Sequence, residues 1–330
     1  MKRRAALQSV AALGAGAVVS VSLSSESFSG VHKVLDHTVD VDEWDQAVHE
    51  YGQRIMTQPT GALVNNLTAD ILRVSQCLDR TQDLRDRAGL MRVSAGLSGL
   101  LAIEMGDVGD TRAARVSWSA ARHAADASGD CALRVWVRGR AAEDAHWAGR
   151  TDQVVTDLAD EAIGIAAGKP SPGLARAHAA RAAVAASRGD DKSAIASIRR
   201  INETFERLSR PTDEQSVLSY RESQLRWAES FVFTRLGDRR AESVLAQALA
   251  LYPVDAQGPI TNLKLMQAAA LVREGDADSG LRHAVTIIQH RPDAVTAGTR
   301  LLARQILRAL PDRGRTLPAA RELRALTSVA

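Results

Sequence analysis

Residues 233–238 read FTRLGD and residues 271–276 read LVREGD. The same glycine, followed by Asp or Arg, recurs at residues 109–110, 149–150 and 189–190, so the dipeptide returns about every forty residues. A small residue stands five positions after several of these glycines, as at Ala114, Ala194 and Gly280. A period of this size is typical of stacked helical hairpins, none of which can bury its apolar face alone.

Apolar residues at helical spacing extend this period along the chain. They predict two helices, from residue 39 to a break at Pro59 and from 62 to 78, followed by five hairpins and two final helices at 293–310 and 317–327. The hairpins are predicted at 84–105 with 111–127, 131–148 with 151–167, 173–188 with 191–208, 213–236 with 239–251, and 259–274 with 277–290. We therefore predict an all-α fold in which the hairpins form an α-α superhelix.

Composition agrees with helices throughout and narrows the class of partner. Of 330 residues, 45% are apolar, 25% are charged and only 4% are aromatic, and alanine, the best helix former, is abundant. The net charge of +3 is too small to indicate a nucleic-acid-binding protein. Arg300, Arg304 and Arg308 do share one helical face, which we interpret as the solvated side of a terminal capping helix, or alternatively as a patch for phosphate or an acidic partner.

The N-terminus differs from the rest of the chain. Lys2-Arg3-Arg4 precedes a run of Ala, Gly, Val and Leu that extends to about Leu23, and a Ser-rich stretch follows it. We divide the chain into residues 1–38, a linker or signal-like segment, and residues 39–330, the helical repeat domain. Twin arginines before a short apolar run are also typical of proteins exported by the twin-arginine route, so export or membrane anchoring through residues 1–25 is the alternative.

Two segments resemble tetratricopeptide repeats. They run from Phe233 through Gly237 and Ala248 to Pro253, and from Leu271 through Gly275 and Ala284 to Pro292. The resemblance implies that the glycine lets the two helices of a hairpin approach closely, that small residues lie in the hairpin interface and that proline ends the second helix. The repeats here are longer than the usual ~34 residues and mostly lack the Trp and Tyr of that motif, so the array is a degenerate one.

A second resemblance covers nearly the whole chain. The Lys-Arg-Arg segment, the phrase Val41-Asp42-Glu43-Trp44 and degenerate repeats such as residues 124–130 (AADASGD) resemble the C-terminal, sensor half of actinobacterial XRE-type helix-turn-helix regulators. The resemblance implies a cytoplasmic regulatory module. The DNA-binding domain of such regulators has no counterpart here, so we expect no sequence-specific DNA binding by this chain alone.

Cys77 and Cys131, without a CxxC motif, are interpreted as buried, reduced thiols.

The sequence carries none of the common motifs for catalysis, metal binding or cofactor binding. The chain contains no HExxH, no phosphate-binding GxxxxGK[ST] and no GxSxG, and His283 and His290 have no third metal ligand spaced with them. We therefore predict a protein that is not an enzyme and that uses no cofactor or metal. The five tryptophans are expected to lie mostly in the core, with one or two at most in a groove.

The predicted function is binding of a protein or peptide partner. The first helices of stacked hairpins line a concave, open face that suits an extended peptide better than a metabolite in a closed pocket. Polar groups on those helices give the candidate ligand-binding residues His178, Arg181, Tyr220, Gln224 and Asn262. The alternative is an exported or membrane-tethered helical scaffold. The sequence gives no prediction of the oligomeric state.

Overall fold

The computed structural model describes residues 40–208, 216–292 and 295–328, and these form fourteen α-helices, one short 3₁₀ turn and no strand. The predicted all-α fold is therefore confirmed, and the helix packing agrees with a superhelix. The helices are α1 Val41–Arg54, α2 Val64–Arg80, α3 Leu84–Val108, α4 Thr111–Ser128, α5 Cys131–Trp147, α6 Asp152–Ala166, α7 Pro172–Arg188, α8 Asp191–Glu206, α9 Glu222–Leu236, α10 Ala241–Leu251, α11 Gln257–Arg273, α12 Ala277–His290, α13 Ala297–Ala309 and α14 Pro318–Thr327.

The recurring Gly-Asp dipeptide is the junction between the two helices of a hairpin. Gly189 ends α7 with φ of 73° and Gly275 follows α11 with φ of 100°, a left-handed conformation that favours glycine. The next residue caps the following helix: the carboxylate of Asp190 accepts from Ser193 N at 3.0 Å, and that of Asp276 from Ser279 N at 3.1 Å. One dipeptide thus stops one helix and starts the next.

The close approach of paired helices occurs at the small residue five positions later. A Cβ built on Gly280 of α12 would lie 2.6 Å from Val272 Cγ2 and 2.7 Å from the carbonyl oxygen of Ala268, both on α11. Around Gly275 nothing lies within 4 Å of such a Cβ. The expectation that the repeated glycine itself lets the helices approach is therefore wrong, because that glycine is needed for its backbone conformation.

Alternate helices form two layers. The odd-numbered helices α1 to α13 form the inner layer, in which each packs against the next, and the even-numbered helices pack outside them. The apolar core lies between the layers, with Leu97 and Leu100 among the buried side chains of its N-terminal part and Phe233 and Leu265 among those of its C-terminal part. The boundaries of the predicted hairpins hold to within a few residues, except that α9 begins at Glu222 instead of residue 213.

Two glycines bring the inner helices α5 and α7 into backbone contact. A Cβ on Gly139 would lie 2.1 Å from the carbonyl oxygen of Gly173, and a Cβ on Gly173 would lie 2.5 Å from the backbone of Trp136. No side chain separates the two helices at this crossing. The packing of α5 on α7 therefore depends on having no side chain at either position.

The superhelix closes on itself. Helix α13 packs on α11 and also contacts α3 and α5, nearly two hundred residues earlier in the chain. Arg300 Nη1 lies 3.4 Å from the Cβ position of Gly109, and Val217 N donates to Gly52 O at 2.9 Å, which joins the loop before α9 to α1. Helix α13 is thus an inner helix that closes the ring and not the terminal cap that the sequence predicts, although Arg304 and Arg308 are exposed, as expected of a solvated face.

The N-terminal segment, the longest apolar helix and the two cysteines were each assigned an environment from the sequence. The predicted linker or signal segment, residues 1–38, lies outside the described residues. Within the described part, α3 is the one helix long and apolar enough to cross a bilayer, and most of its apolar stretch is buried among neighbouring helices. Cys131 is exposed at the start of α5 and Cys77 is half-buried, so the expectation of two buried thiols is wrong.

Candidate functional site

A cavity of about 750 Å³ lies inside the closed superhelix. The inner helices α3, α5, α7 and α9 supply most of its wall, and the start of α11 and the start of α13 complete it. It continues outward between α4 and α6. Because α13 returns to α3 and α5, the inner face surrounds this space instead of forming the long groove that the sequence predicts, and the space remains half-open to solvent.

One stripe of each inner helix faces the cavity, at spacings of three and four residues. On α7 the stripe is Arg176 followed by three alanines, and their short side chains keep the space open. On the other helices it carries aromatic and charged groups. The stripes are Ile103, Gly106 and Asp107 on α3; Arg140, Glu143, Asp144 and Trp147 on α5; Arg176, Ala179, Ala180 and Ala183 on α7; and Gln224, Trp227, Ala228 and Phe231 on α9.

Aromatic rings form one wall of the cavity. Trp147 makes edge contacts with Trp227 at 4.9 Å and with Phe231 at 5.0 Å between ring centroids, and Trp227 stacks parallel to Phe231 at 6.4 Å. Trp147 and Trp227 are only partly buried. Trp118 of α4 lines the cavity as well. Three of the five tryptophans, Trp118, Trp147 and Trp227, therefore line the cavity, more than the one or two expected. Such rings offer apolar surface of fixed shape to a ligand.

Another part of the lining is charged, and it includes Asp144, one turn before Trp147 in the same stripe of α5. Its carboxylate accepts from Trp118 Nε1 at 2.8 Å and pairs with Arg140 one turn earlier on α5. Burial raises the pKa of Asp144 in spite of these partners, because desolvation disfavours its charged form. The pair places a tryptophan ring and a guanidinium in defined positions at the cavity surface.

Asp107 lies next to this pair, at the end of α3. It makes no hydrogen bond and no ion pair with any described residue. Burial, together with the nearby carboxylates of Asp144 and Glu104, raises its pKa to about 7, while Arg140 acts in the opposite direction. Glu104 has its own partner, since it accepts from Leu63 N at 3.4 Å. Asp107 is therefore the carboxylate of this wall that lacks a partner.

Arg176 connects the cavity wall to the ring closure. Its guanidinium donates to Glu143 Oε2 at 2.7 Å and to the carbonyl oxygens of Val217 and Ser219 at 3.0 Å. The same loop bonds to α1 through Val217. Arg176 and Glu143 thus hold the loop that completes this side of the ring.

His146 adds a polar atom without a protein partner. The ring is 8% exposed, lines the cavity and lies edge-on to Trp147 and Phe231, but its Nε2 has no hydrogen-bond partner. Desolvation lowers the pKa of His146 to about 4, so the ring is neutral at pH 7. The Nε2 atom has almost no accessible surface, so it is buried behind the cavity lining and not offered to a ligand.

Two of the five predicted ligand-binding residues line the cavity. Gln224 and Asn262 both contribute to its wall. Each also has a structural bond: Gln224 Oε1 accepts from Arg221 N at 2.7 Å at the start of α9, and Asn262 Oδ1 accepts from Thr299 Oγ1 at 2.9 Å between α11 and α13. Their side-chain amide nitrogens are the groups left for a ligand.

The structure places the other three away from the cavity. Tyr220 is 1% exposed, with Arg176 over its ring, so the expectation that it faces the groove is corrected. His178 is half-buried on the side of α7 that faces α8, where burial and nearby arginines lower its pKa to about 4. Arg181 is exposed and pairs with Asp160 of α6 at 2.8 Å. His178 and Arg181 lie two and five residues from Arg176, outside the alanine stripe that faces inward.

Asp107, Asp144, His146 and the cluster of Trp147, Trp227 and Phe231 line the cavity without having been predicted from the sequence. Their signal was present: on α5 and α9, charged and tryptophan residues recur at spacings of three and four within helices that are apolar on their other faces. Among the described residues, no group of three His, Cys, Asp or Glu side chains could hold a metal ion.

No family model matches the chain, and neither the curated proteins nor the solved structures include one that is significantly similar to it.

Proposed function

We propose that the helical domain is a non-catalytic regulatory module that binds a peptide, or a peptide-like segment of a partner protein, in the central cavity. The observation that carries the proposal is a half-open space of about 750 Å³ inside the ring, whose lining combines partly exposed tryptophans with charged groups. Ligand sites of this kind have volumes of about 300–1,000 Å³ and place a few polar groups on a mostly apolar lining.

A peptide fits a lining that is partly aromatic and partly polar better than a purely apolar or a purely charged ligand does. Its side chains find apolar surface at Trp147, Trp227 and Phe231, while its backbone carbonyls find the side-chain amide nitrogens of Gln224 and Asn262. The resemblance to the sensor halves of XRE-type regulators supports a regulatory role, without sequence-specific DNA binding by this chain.

Trp227→Ala tests the site. Because large aromatic side chains dominate binding energies, we expect this variant to weaken the best-binding member of a library of capped hexapeptides at least tenfold, as measured by calorimetry. Leu72→Ala is the matched control, since Leu72 is 40% exposed on the outer helix α2 and does not line the cavity. Equal peptide affinity in the two variants, with both still folded by circular dichroism, would place binding elsewhere.

We propose a cytoplasmic location, with export by the twin-arginine route as the alternative. Cell fractionation of the full chain with a C-terminal tag distinguishes the two. We expect the tag in the cytoplasmic fraction and no change when Arg3 and Arg4 are both replaced by lysine, because twin-arginine export depends on that pair. A tag found outside the cytoplasm, and lost from there in the double variant, would establish the exported scaffold instead.

A further inference from the structure

Three successive inner helices end on arginines that lie close together. Arg235 is in the last turn of α9, Arg273 ends α11 and Arg308 is in the last turn of α13. The guanidinium of Arg273 reaches α9, where its Nη1 donates to the carbonyl oxygen of Thr234 at 3.0 Å and also to that of Arg235. Arg308 is near enough for its charge to act on Arg235 as well. We call these three residues the arginine cluster.

Arg235 is the member of the cluster whose guanidinium has no partner. It is half-buried, and it forms no hydrogen bond and no ion pair with any described residue. The other buried or half-buried arginines of α3, α5, α7 and α9 all have a carboxylate or carbonyl partner; they are Arg87, Arg92, Arg134, Arg138, Arg140, Arg176 and Arg226. Elsewhere on these four helices, a guanidinium that is removed from water is thus paired, and at the end of α9 it is not.

The charges that act on Arg235 are positive. Burial, together with the charges of Arg273 and Arg308, lowers the pKa of the Arg235 guanidinium, and no carboxylate of a described residue acts in the opposite direction. Arginine keeps its proton at physiological pH, so the cluster holds three like charges. The negative end of a helix dipole amounts to about half an elementary charge, which offsets only part of the charge of each arginine. An anion would therefore relieve repulsion that the protein itself does not neutralise.

The cluster is separate from the central cavity and open to solvent. Arg235 follows Trp227 and Phe231 at four-residue spacing on α9, but none of the three arginines lines the cavity. Arg273 and Arg308 are exposed. Arg273 uses only Nη1 for its bonds to α9, so its Nη2 and Nε remain as donors. An anion that arrives from solvent thus finds donors on side chains of three different helices.

We propose that the arginine cluster binds a phosphate dianion, either inorganic phosphate or the phosphate group of a small organic molecule. Guanidinium groups bind phosphate through two parallel N–H···O bonds, and the several oxygens of phosphate can accept from more than one arginine at once. Arg308 belongs to the helical face for which a phosphate patch was the alternative interpretation of the sequence. The site lies outside the cavity, so the proposal is independent of peptide binding.

Calorimetry with inorganic phosphate and with glycerol 3-phosphate tests the site. Both are titrated at slightly alkaline pH, where they are dianions, and sodium chloride keeps the ionic strength constant. We expect the wild-type chain to bind phosphate and Arg235→Gln to weaken that binding at least tenfold, as is typical when a charge-assisted hydrogen bond is lost. Arg199→Gln, which removes one charge from the exposed side of the outer helix α8, is the matched control and should keep the affinity. Binding of both probes indicates a site for phosphate esters, and binding of inorganic phosphate alone a site for the free anion.

Urea denaturation separates binding from a structural role. Without phosphate and at low salt, Arg235→Gln should raise the unfolding midpoint, because it removes repulsion between like charges. Added phosphate should raise the midpoint of the wild-type chain and leave that of the variant nearly unchanged. If Arg235→Gln lowers the midpoint instead, Arg308→Gln at an exposed position decides, and it should also weaken phosphate binding. No phosphate binding by the wild-type chain, or equal binding by wild type and both variants, would overturn the proposal and leave the peptide function standing.

Discussion

Replacing Gly139 by leucine is expected to prevent stable folding of the superhelix. A Cβ at this position would lie 2.1 Å from the carbonyl oxygen of Gly173 and 3.3 Å from Ala177 N, so it would meet backbone that cannot rotate away. Relief requires α5 and α7 to separate, which opens the core on both sides of the contact. We expect a loss of more than about 4 kcal/mol in the free energy of unfolding, measured by urea denaturation.

Smaller substitutions at the same contact make the test specific. Gly139→Ala and Gly173→Ala should each cost more than about 2 kcal/mol, because a single methyl group already meets backbone atoms. Gly164→Ala on α6 is the control: nothing lies within 4 Å of its Cβ, and the residue is exposed in a helix. That change should stabilise the protein by about 0.5–1 kcal/mol. Unfolding of Gly139→Leu at the wild-type urea concentration would contradict the packing of α5 on α7.

Asp107→Asn is expected to stabilise the empty protein above neutral pH. Burial and the neighbouring carboxylates of Asp144 and Glu104 raise the pKa of Asp107 to about 7, with Arg140 opposing them, whereas an unfolded aspartate titrates near 3.9. Between these values the folded chain binds the proton more tightly than the unfolded chain does. Asp107 therefore lowers the stability progressively as the pH rises from about 4 to 7.

The measurement is the difference in unfolding free energy between Asp107→Asn and the wild-type chain across this range. It should be near zero at pH 4.5 and rise to about 2 kcal/mol in favour of the variant at pH 8. Using the difference removes the contributions of His146 and His178, whose pKa values are lowered and whose neutral forms make the protein more stable as the pH rises from about 4 to 6.5. Parallel curves for the two proteins would show that Asp107 is not in the environment described.

The helical hairpins could be predicted because their signal is local. The Gly-Asp dipeptides fix each junction through a left-handed glycine and a capping carboxylate, and both act within a few residues of the chain. The function of the glycine was misassigned, since the close contact lies at positions such as Gly280. Backbone conformation and close packing both favour glycine, and sequence alone does not separate them.

The cavity could not be predicted because it depends on how much each hairpin rotates relative to the last. Small rotations at successive inner-helix contacts add up until α13 contacts α3 and α5. The total rotation depends on all of these contacts together, so no single residue in the sequence indicates it. The predicted site followed polar residues on the first helices, which is why His178 and Arg181 were included. The residues of α7 that face the cavity are instead Arg176 and three alanines. Alanine does not distinguish one face of this alanine-rich helix from another in the sequence, so the inward face follows only from the three-dimensional packing.

Photo-crosslinking tests the central claim, that the inside of the closed superhelix is the ligand site, most directly. The best-binding hexapeptide would carry a benzoylphenylalanine at a central position, and mass spectrometry would locate the adducts after irradiation and proteolysis. The account predicts adducts on residues of the cavity wall on α3, α5, α7 and α9, near Trp147 and Trp227. Adducts confined to the outer faces of α2, α8, α10 or α12 would contradict it.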